Sequence, residues 1–194
     1  MVMRSALEEF ARGGYDAASM GRIGTAAGVT RTVLYDHFPS KRALFVELLA
    51  DTHAALLSHL RDTLTAEGSM EQRMIDTFDA YLAFAEEEPQ AWRVLFPDHP
   101  PIDPDVASDQ QRCRTESNRI FAAMLESDAK RAGIEPASTG GQVIFAIHQA
   151  ALQGAVRWWR VHPDVERAEM TKATTDALWT GLGGLARGEA LTGS

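Results

Sequence analysis

The stretch from Ile23 to Lys41, IGTAAGVTRTVLYDHFPSK, constrains the fold more than any other part of the chain. Apolar residues before Gly28 recur three and four positions apart, which predicts a short helix with one buried stripe. Gly28 interrupts this pattern where a residue with positive φ lets the chain turn sharply. Thr30 can cap a second short helix, Pro39 ends it, and Ser40 can cap the next one. The apolar stripe of the second helix is Val33, Leu34 and Phe38.

Polar residues of the second short helix face outward when that stripe is buried: Arg31, Thr32, Tyr35 and His37. Two short helices joined by a tight glycine turn, with basic, hydroxyl and phenol groups outward, are typical of a helix-turn-helix. Together with GGYDAASM before it and RALFVELL after it, the stretch closely resembles the DNA-binding domain of the TetR family of bacterial transcriptional regulators. The resemblance covers about Val2 to Leu49 by motif, and the remainder agrees in length and helix pattern only.

The resemblance implies a DNA-binding transcriptional regulator, most often a repressor, that leaves a palindromic operator when a small apolar effector binds. The helix from Thr30 to Phe38 would enter the major groove, with Arg31 on a guanine and Thr32 on a neighbouring base. By the family pattern, the phosphate contacts come from the following side chains: Ser19, Thr30, Tyr35, His37 and Lys41. The carboxylate of Asp36 is repelled by the DNA backbone, so we expect it to turn toward a base amine, Arg22 or Arg42.

A net charge of -8 is unusual for a DNA-binding protein, but the charge is unevenly distributed. Residues 1–50 carry six Lys/Arg and five Asp/Glu, which leaves 13 basic and 22 acidic side chains for the rest. The acidic C-terminal part is therefore repelled from DNA, whereas the N-terminal part is not. Family members usually carry further, often basic, residues before this point, and this chain begins late. DNA contacts from such an arm, and a native start further upstream, are left open.

The apolar pattern along the rest of the chain predicts an all-α fold of about nine helices, since no alternation typical of strands is present. We expect a helix-turn-helix DNA-binding domain over residues 1–45 and a helical effector-binding and dimerisation domain over residues 46–194. Helical spacing continues for more than twenty residues after Ser40, compared with an average helix of about 11–12 residues. This long helix should connect the two domains. A later helix should run from Asp103-Pro104 to about Lys130.

The last two predicted helices, over residues 137–160 and 164–186, indicate a homodimer. The first of them is apolar nearly all round, so it must be covered on both sides. Glycines at 154, 181, 183 and 184 allow close helix approach. Pairing with the same helices of a second copy would form a four-helix bundle, as in the family that the chain resembles. The alternative is that both helices lie in the core of a monomer.

The family also implies a largely apolar effector cavity in the C-terminal domain, between the middle helices and the long connecting helix. Tyr81, His148 and Gln149 would supply the polar groups that orient a ligand. The alternative is that these side chains, which recur at helical spacing, are only core. The candidate lining residues are Phe78, Tyr81, Phe84, Trp92, Phe96, Phe121, Met124, His148 and Gln149.

The sequence lacks the motifs of metal-binding proteins, enzymes, membrane proteins and secreted proteins. Cys113 is the single cysteine, so an intramolecular disulfide is impossible and a cytoplasmic location is expected. None of the six histidines forms an HxxxH or HExxH pattern, and no catalytic or phosphate-binding motif occurs, so we expect no metal, no cofactor and no enzyme activity. No apolar run approaches the roughly 20 residues of a membrane span, and no signal peptide is evident.

Two alternatives to the effector-controlled regulator remain open. One is a regulator of the same fold that takes no small molecule, which a fully packed C-terminal core would favour. The other is a helical binding protein that has lost DNA binding, which Asp36 and the short N-terminus would favour. A gel shift with the DNA upstream of the protein's own gene separates DNA binding from its loss.

Overall fold

The computed structural model describes residues 1–64, 69–131 and 133–186, without the side chains of residues 62, 64, 70, 128, 131 and 179–186. All regular structure in these ranges is helical, so the all-α prediction is confirmed. The ten helices are α1 (Val2–Ala17), α2 (Met20–Ala27), α3 (Arg31–His37), α4 (Lys41–Leu64), α5 (Met70–Glu87), α6 (Pro89–Leu95), α7 (Pro104–Met124), α8 (Glu126–Arg131), α9 (Thr139–Trp159) and α10 (Arg167–Ala186). The helix predicted to reach Lys130 is interrupted at Leu125, which raises the number from nine to ten.

The predicted caps and turns explain the short helices at the N-terminus. Gly28 ends α2 in the left-handed conformation, with φ 67°. The side chain of Thr30 accepts a hydrogen bond from the amide of Val33 at 3.3 Å, and Ser40 Oγ accepts one from the amide of Ala43 at 3.0 Å. These bonds satisfy amides that the first turn of a helix leaves free. The two glycines at 13 and 14 predict the end of a first helix near Arg12, and Gly14 does interrupt α1 with a φ of 72°, after which the chain continues as a short helical segment to Ala17.

The chain packs as two compact units, the first of which comprises residues 1–57 and 87–118. Its core joins α1, α2, α3 and the beginning of α4 to α6 and the first half of α7. Val94 of α6 and Val106 of α7 are 3% and 0% exposed within it. The packing unit therefore extends beyond residue 45, and the functional division predicted there stays a prediction. The core residues from the N-terminal helices are Ala6, Phe10, Ala18, Met20, Ile23, Leu34, Leu44, Phe45, Leu48 and Leu49.

The second unit comprises residues 58–86 and the chain from 119 onward. Arg167 at the start of α10 binds Asp79 of α5 at 3.2 Å and Glu86 of the same helix at 2.9 Å. Thr171 Oγ1 also donates to Asp79, at 2.8 Å. These polar contacts fix α10 along α5. The large side chains buried in this unit include Leu60, Phe78, Tyr81, Leu82, Phe84, Phe121, Leu152, Val156, Trp159 and Met170.

Several residues face differently from the prediction. Val33, and Ile120 of α7, whose apolar spacing also predicts burial, are 42% and 39% exposed. Ala173 and Ala177 of α10 are exposed, whereas the neighbouring Thr171 is buried. The apolar stripe predicted for α10 continues at Gly181, Leu182 and Leu185, whose side chains are outside the described part of the structure. Apolar spacing identified other buried residues of the same helices, such as Leu34, Val106 and Met170, but not these positions.

One helical segment, Lys41–Arg61 of α4, is long and apolar enough to cross a membrane by length and composition, with a mean hydropathy of 1.2. This segment corrects the expectation that no stretch approaches the length of a span. Its side chains Leu44, Leu48 and Leu49 are nearly fully buried in the core of the first unit. Burial against other helices is what the core helix of a folded domain requires, so this segment is weak support for membrane insertion.

Candidate functional site

The seven-residue helix α3 presents most of its side chains to solvent. Leu34 is its one buried residue, at 1% exposure, and it packs close to Gly24 of α2. A Cβ at Gly24 would lie 3.2 Å from the carbonyl oxygen of Val29, so glycine leaves room for the tight turn between α2 and α3. The predicted outward residues form the exposed face: Arg31, Thr32, Tyr35 and His37, together with the N-cap Thr30.

Val33 joins this exposed face, although the sequence placed it in the core. A helix of only two turns reaches the rest of the unit through Leu34, and its neighbour Val33 therefore points away. The exposed side chain of Val33 adds an apolar group to a face that is otherwise polar. On the same face, Arg31 Cζ lies 5.3 Å from the ring centroid of Tyr35, a cation–π contact that restrains the guanidinium.

Glu9 of α1, which sequence reasoning missed, binds the beginning of α2. Its carboxylate accepts hydrogen bonds from Arg22 Nε at 2.7 Å, from the Ser19 amide at 3.1 Å and from Arg12 Nη1 at 3.0 Å. The hydrogen bond from Arg22, followed by that from Ser19, lowers the pKa of Glu9 below its ordinary value despite burial. Ser19 occupies the N-cap position, but its side chain makes no capping bond. A single glutamate in an amphipathic helix gives no signal of this role.

Lys41 does not lie free on the exposed face. Its ammonium donates to the backbone carbonyls of Tyr15 at 2.9 Å, Ala18 at 3.1 Å and Asp16 at 3.4 Å. The same nitrogen is 4.3 Å from the centroid of the Tyr15 ring. The side chain expected to contact a phosphate is thus bound to the end of α1 and the start of the α1–α2 connection.

Of the three partners expected for Asp36, Arg22 and Arg42 bind other groups, so only the base amine stays a prediction. Arg22 binds Glu9, as described above. Arg42 Nε lies 2.5 Å from Asp109 Oδ2 of α7, and Arg42 Nη1 lies 3.1 Å from Asp105 of the same helix. Asp109 is 3% exposed, and its hydrogen bond with Arg42 lowers the pKa of that carboxyl. The start of α4 is therefore tied to α7 within the first unit.

The second unit contains a cavity of about 180 Å³ between α5, α7, α8 and α9. Four of the residues predicted from the sequence line it: Phe78, Phe121, His148 and Gln149. The remaining lining residues, which the sequence did not identify, are Arg73, Met74, Thr77, Ala122, Leu125, Ala129, Ile134, Pro136, Gly141, Ile144, Phe145 and Leu152. On α9 these positions follow a spacing of three and four residues, a signal that could have found them.

The other predicted lining residues lie elsewhere. Tyr81, Phe84 and Met124 belong to the second unit but are not part of this lining. Trp92 and Phe96 belong to the first unit, where their ring centroids are 4.3 Å apart. Among the described residues of α4, none lines the cavity, so its walls differ from those expected. The sequence could not show that α6 packs with the helix-turn-helix.

The cavity wall is mostly apolar, with a few polar side chains. His148 Nδ1 donates to the carbonyl of Ile144 at 2.8 Å, which leaves Nε2 as a hydrogen-bond acceptor. Arg73 is 8% exposed, and Thr77 donates its hydroxyl proton to the Arg73 carbonyl at 2.7 Å. Gly141 keeps this wall closed, because a Cβ there would lie 2.3 Å from the carbonyl oxygen of Glu135.

Helix α9 has a second apolar face, which is exposed. Val143, Ile147 and Trp158 on this face are 52%, 56% and 47% exposed. Gly154 lies between them in sequence, and a Cβ built there would have nothing within 4 Å. One face of α9 thus lines the cavity while the other is uncovered, which explains why the sequence is apolar nearly all round.

Comparison with known proteins identifies the family. Residues 2–48 match "Bacterial regulatory proteins, tetR family". The transcriptional activator FasR of Mycolicibacterium smegmatis is 28% identical over 181 residues, which are 93% of this chain and 81% of that protein. Residues 2–48 therefore belong to the TetR family. The chain also matches the nucleoid occlusion factor SlmA of Shewanella halifaxensis, with 29% identity over 101 residues, but it spans only 48% of that protein.

Solved structures agree in fold with this TetR-family chain. FadR from Bacillus subtilis, solved in complex with stearoyl-CoA, has a TM-score of 0.78 at 12% identity and covers 93% of this chain and 97% of its own. The fatty acid degradation regulator FadR from Bacillus halodurans has a TM-score of 0.77 at 15% identity, with coverages of 94% and 97%. The predicted family and architecture are confirmed. The protein is a DNA-binding transcriptional regulator, a class that is not enzymatic.

Proposed function

We propose that this TetR-family regulator binds a palindromic operator as a homodimer and releases it when an apolar effector enters the α5–α9 cavity. The exposed face of α3 carries the DNA-binding part of the proposal. Arg31 reads a base, held beside Tyr35 by the cation–π contact. Thr32 also reads a base. The phosphate contacts come from Ser19, Thr30, Tyr35 and His37. Such a regulator acts on the chromosome, which places it in the cytoplasm.

The exposed face of α9 supports dimerisation through the last two helices. Its uncovered apolar side chains include Val143, Ile147 and Trp158, and the open position at Gly154 allows a second helix to approach. Burial of such a stripe against its own copy produces a two-fold interface. Two recognition helices related by this axis can reach successive major grooves about 34–36 Å apart.

The proposed effector is a long apolar chain, such as an acyl group. The cavity walls are mostly apolar, with Arg73, Thr77, His148 and Gln149 as possible partners for a polar head. Among structures of this fold, FadR from Bacillus subtilis was solved with stearoyl-CoA. The cavity volume of about 180 Å³ lies below the range of about 300–1,000 Å³ typical of ligand pockets. A long chain therefore fits only if the cavity widens, and binding selects a widened conformation.

The cavity proposal is tested with two adjacent alanines of α7. Ala122 lines the cavity, whereas Ala123 is exposed. Ala122→Phe should fill the space and abolish release of operator DNA by saturated acyl-CoAs and free fatty acids of increasing length, while DNA binding persists. Ala123→Phe should respond like the wild type. A response that is equal in both variants, or no response of the wild type to any chain length, would reject this effector site.

DNA binding is tested by a gel shift with the region upstream of the protein's own gene. The wild type should shift this fragment at low salt, and Arg31→Ala should lose about 1–3 kcal/mol of discrimination between bases at one operator position. Thr25→Ala, at an exposed residue of α2, serves as a control. The absence of any shift at low salt would favour the helical binding protein without DNA-binding activity.

Activation is a second candidate, because the relative that matches along most of the chain, FasR, is a transcriptional activator. A reporter driven by the operator-containing promoter separates the two signs of control. Deletion of the regulator raises expression if the protein represses, and lowers expression if it activates. The DNA and effector sites are the same in both cases.

A further inference from the structure

The end of α1 and the cap of α2, Tyr15–Ser19, are held by charged side chains from three helices, and we call these five residues the α1–α2 corner. Lys41 at the start of α4 donates to three of its carbonyls. Arg22 of α2 donates to a fourth carbonyl, that of Ala17, at 2.5 Å. Glu9 of α1 accepts from the Ser19 amide at 3.1 Å. The corner is therefore fixed from α1, α2 and α4 at once.

The contacts of Lys41 use the hydrogen-bonding capacity of its ammonium group. A lysine ammonium has three donors, and three backbone carbonyls lie between 2.9 and 3.4 Å from it. The ring of Tyr15, 4.3 Å away, lies against the same nitrogen. A DNA phosphate could bind Lys41 only by replacing one of these carbonyls, which would then lose its partner.

We infer that Lys41 is a positioning residue, which sets the beginning of α2 relative to the recognition helix instead of contacting DNA. This inference rests on the proposed DNA binding. Lys41 begins α4 only four residues after His37, the last residue of α3. Its contacts to the corner therefore hold Ser19, at the start of α2, at a set distance from α3. The spacing between Ser19 and α3 therefore depends in part on this side chain.

A positioning lysine and a phosphate-contacting lysine differ in how operator binding responds to salt. Each phosphate contact releases counterions and contributes about 0.9 to the slope of log K against log salt, or about 1.8 for a dimer with two such contacts. A lysine bound to backbone carbonyls contributes no such release. Its loss should affect binding that requires the correct spacing of α2 and α3, and should spare non-specific attraction to DNA.

The test uses the full-length protein, the operator fragment and an unrelated duplex of equal length, with dissociation constants measured over a series of salt concentrations. Lys41→Met removes the ammonium and keeps most of the stem. Lys41→Arg keeps the charge but replaces the three compact donors by a flat guanidinium. Lys130→Met is the matched control, since Lys130 is exposed on α8 and binds Glu126 at 2.6 Å. All binding is measured well below the melting temperature of each variant.

We expect Lys41→Met to bind the operator roughly tenfold more weakly, because fewer molecules hold α2 and α3 at the spacing that operator binding requires. The salt slope and the affinity for the unrelated duplex should not change. Lys41→Arg should also lose operator affinity, and Lys130→Met should match the wild type. The inference would be overturned if Lys41→Met lowered the salt slope by about 1.8 and bound both duplexes more weakly, while Lys41→Arg bound like the wild type. A variant that melts earlier but binds the operator normally would also overturn it.

If Lys41→Met does not fold at the assay temperature, Lys41→Arg decides the matter by the same comparison of affinity and slope. Failure of the wild type to bind any fragment is a different result. It would reject the proposed DNA binding itself, before Lys41 is considered.

Discussion

Histidine 53 should make the stability of this regulator depend on pH in a defined range. His53 of α4 is 5% exposed, and neither of its ring nitrogens has a hydrogen-bond partner. Burial, with a smaller contribution from the charge of Arg114, lowers the pKa of His53 from 6.5 to about 4. The unfolded chain therefore binds a proton at a higher pH than the folded chain does.

This difference determines the sign and size of the effect. Because the folded pKa is the lower one, stability is retained above pH 6.5 and is lost as pH falls from 6.5 toward 4. At about 1.4 kcal/mol per pKa unit, the full loss is about 3 kcal/mol per protomer, of which about 2 kcal/mol is lost between pH 7.5 and 5.0. The carboxyls of Glu9 and Asp109, whose pKa values are lowered, titrate mainly below this window.

The assay compares urea unfolding of the wild type, His53→Leu and His99→Leu at pH 7.5 and 5.0. One protein concentration is used throughout, because the proposed dimerisation would also affect the transition. His53→Leu should be more stable by about 1–3 kcal/mol at pH 7.5, since it removes two unpaired buried nitrogens. It should also lose about 2 kcal/mol less than the wild type at pH 5.0. His99 is exposed and serves as control. Equal losses in the wild type and in His53→Leu would refute the reasoning.

Three further substitutions test other parts of the structure. Glu9→Ala leaves the Ser19 amide without its partner, so the free energy of unfolding measured by thermal unfolding should fall by about 1–3 kcal/mol. Unchanged stability would contradict a role for this carboxylate. Gly154→Arg should leave the helical content intact but yield monomers in analytical ultracentrifugation, whereas intact dimers would place the interface elsewhere. Gly141→Ala should lower the free energy of unfolding by about 1–3 kcal/mol in urea, because the new Cβ would lie 2.3 Å from the Glu135 carbonyl oxygen. An unchanged urea midpoint would argue against that close approach.

The packing of the first unit also bears on how effector binding reaches DNA. Helix α7 begins in this unit with Asp105 and Asp109 on Arg42, and it continues into the second unit, where Phe121 and Ala122 line the cavity. The same helix therefore contacts the proposed effector and the start of α4. By residue number, α7 runs through both units, as α4 does.

Local sequence determined the helix-turn-helix, because short-range hydrogen bonds and backbone preferences decide it. Gly28 accepts positive φ without strain, and the hydroxyl groups of Thr30 and Ser40 cap helices that begin one residue later. The apolar periodicity of α4, α5 and α9 likewise predicted long helices. The outward position of Arg31, Tyr35 and His37 follows from the same local geometry.

Tertiary structure alone decided which partner each side chain meets. Lys41 binds carbonyls 23 to 26 residues earlier in the chain, and Arg42 binds Asp109, 67 residues later. The assignment of α6 to the first unit removed Trp92 and Phe96 from the expected cavity. Periodicity shows that a helix has an apolar face, but contacts between residues distant in sequence determine whether that face lines a cavity, fills a core or remains open for a second copy.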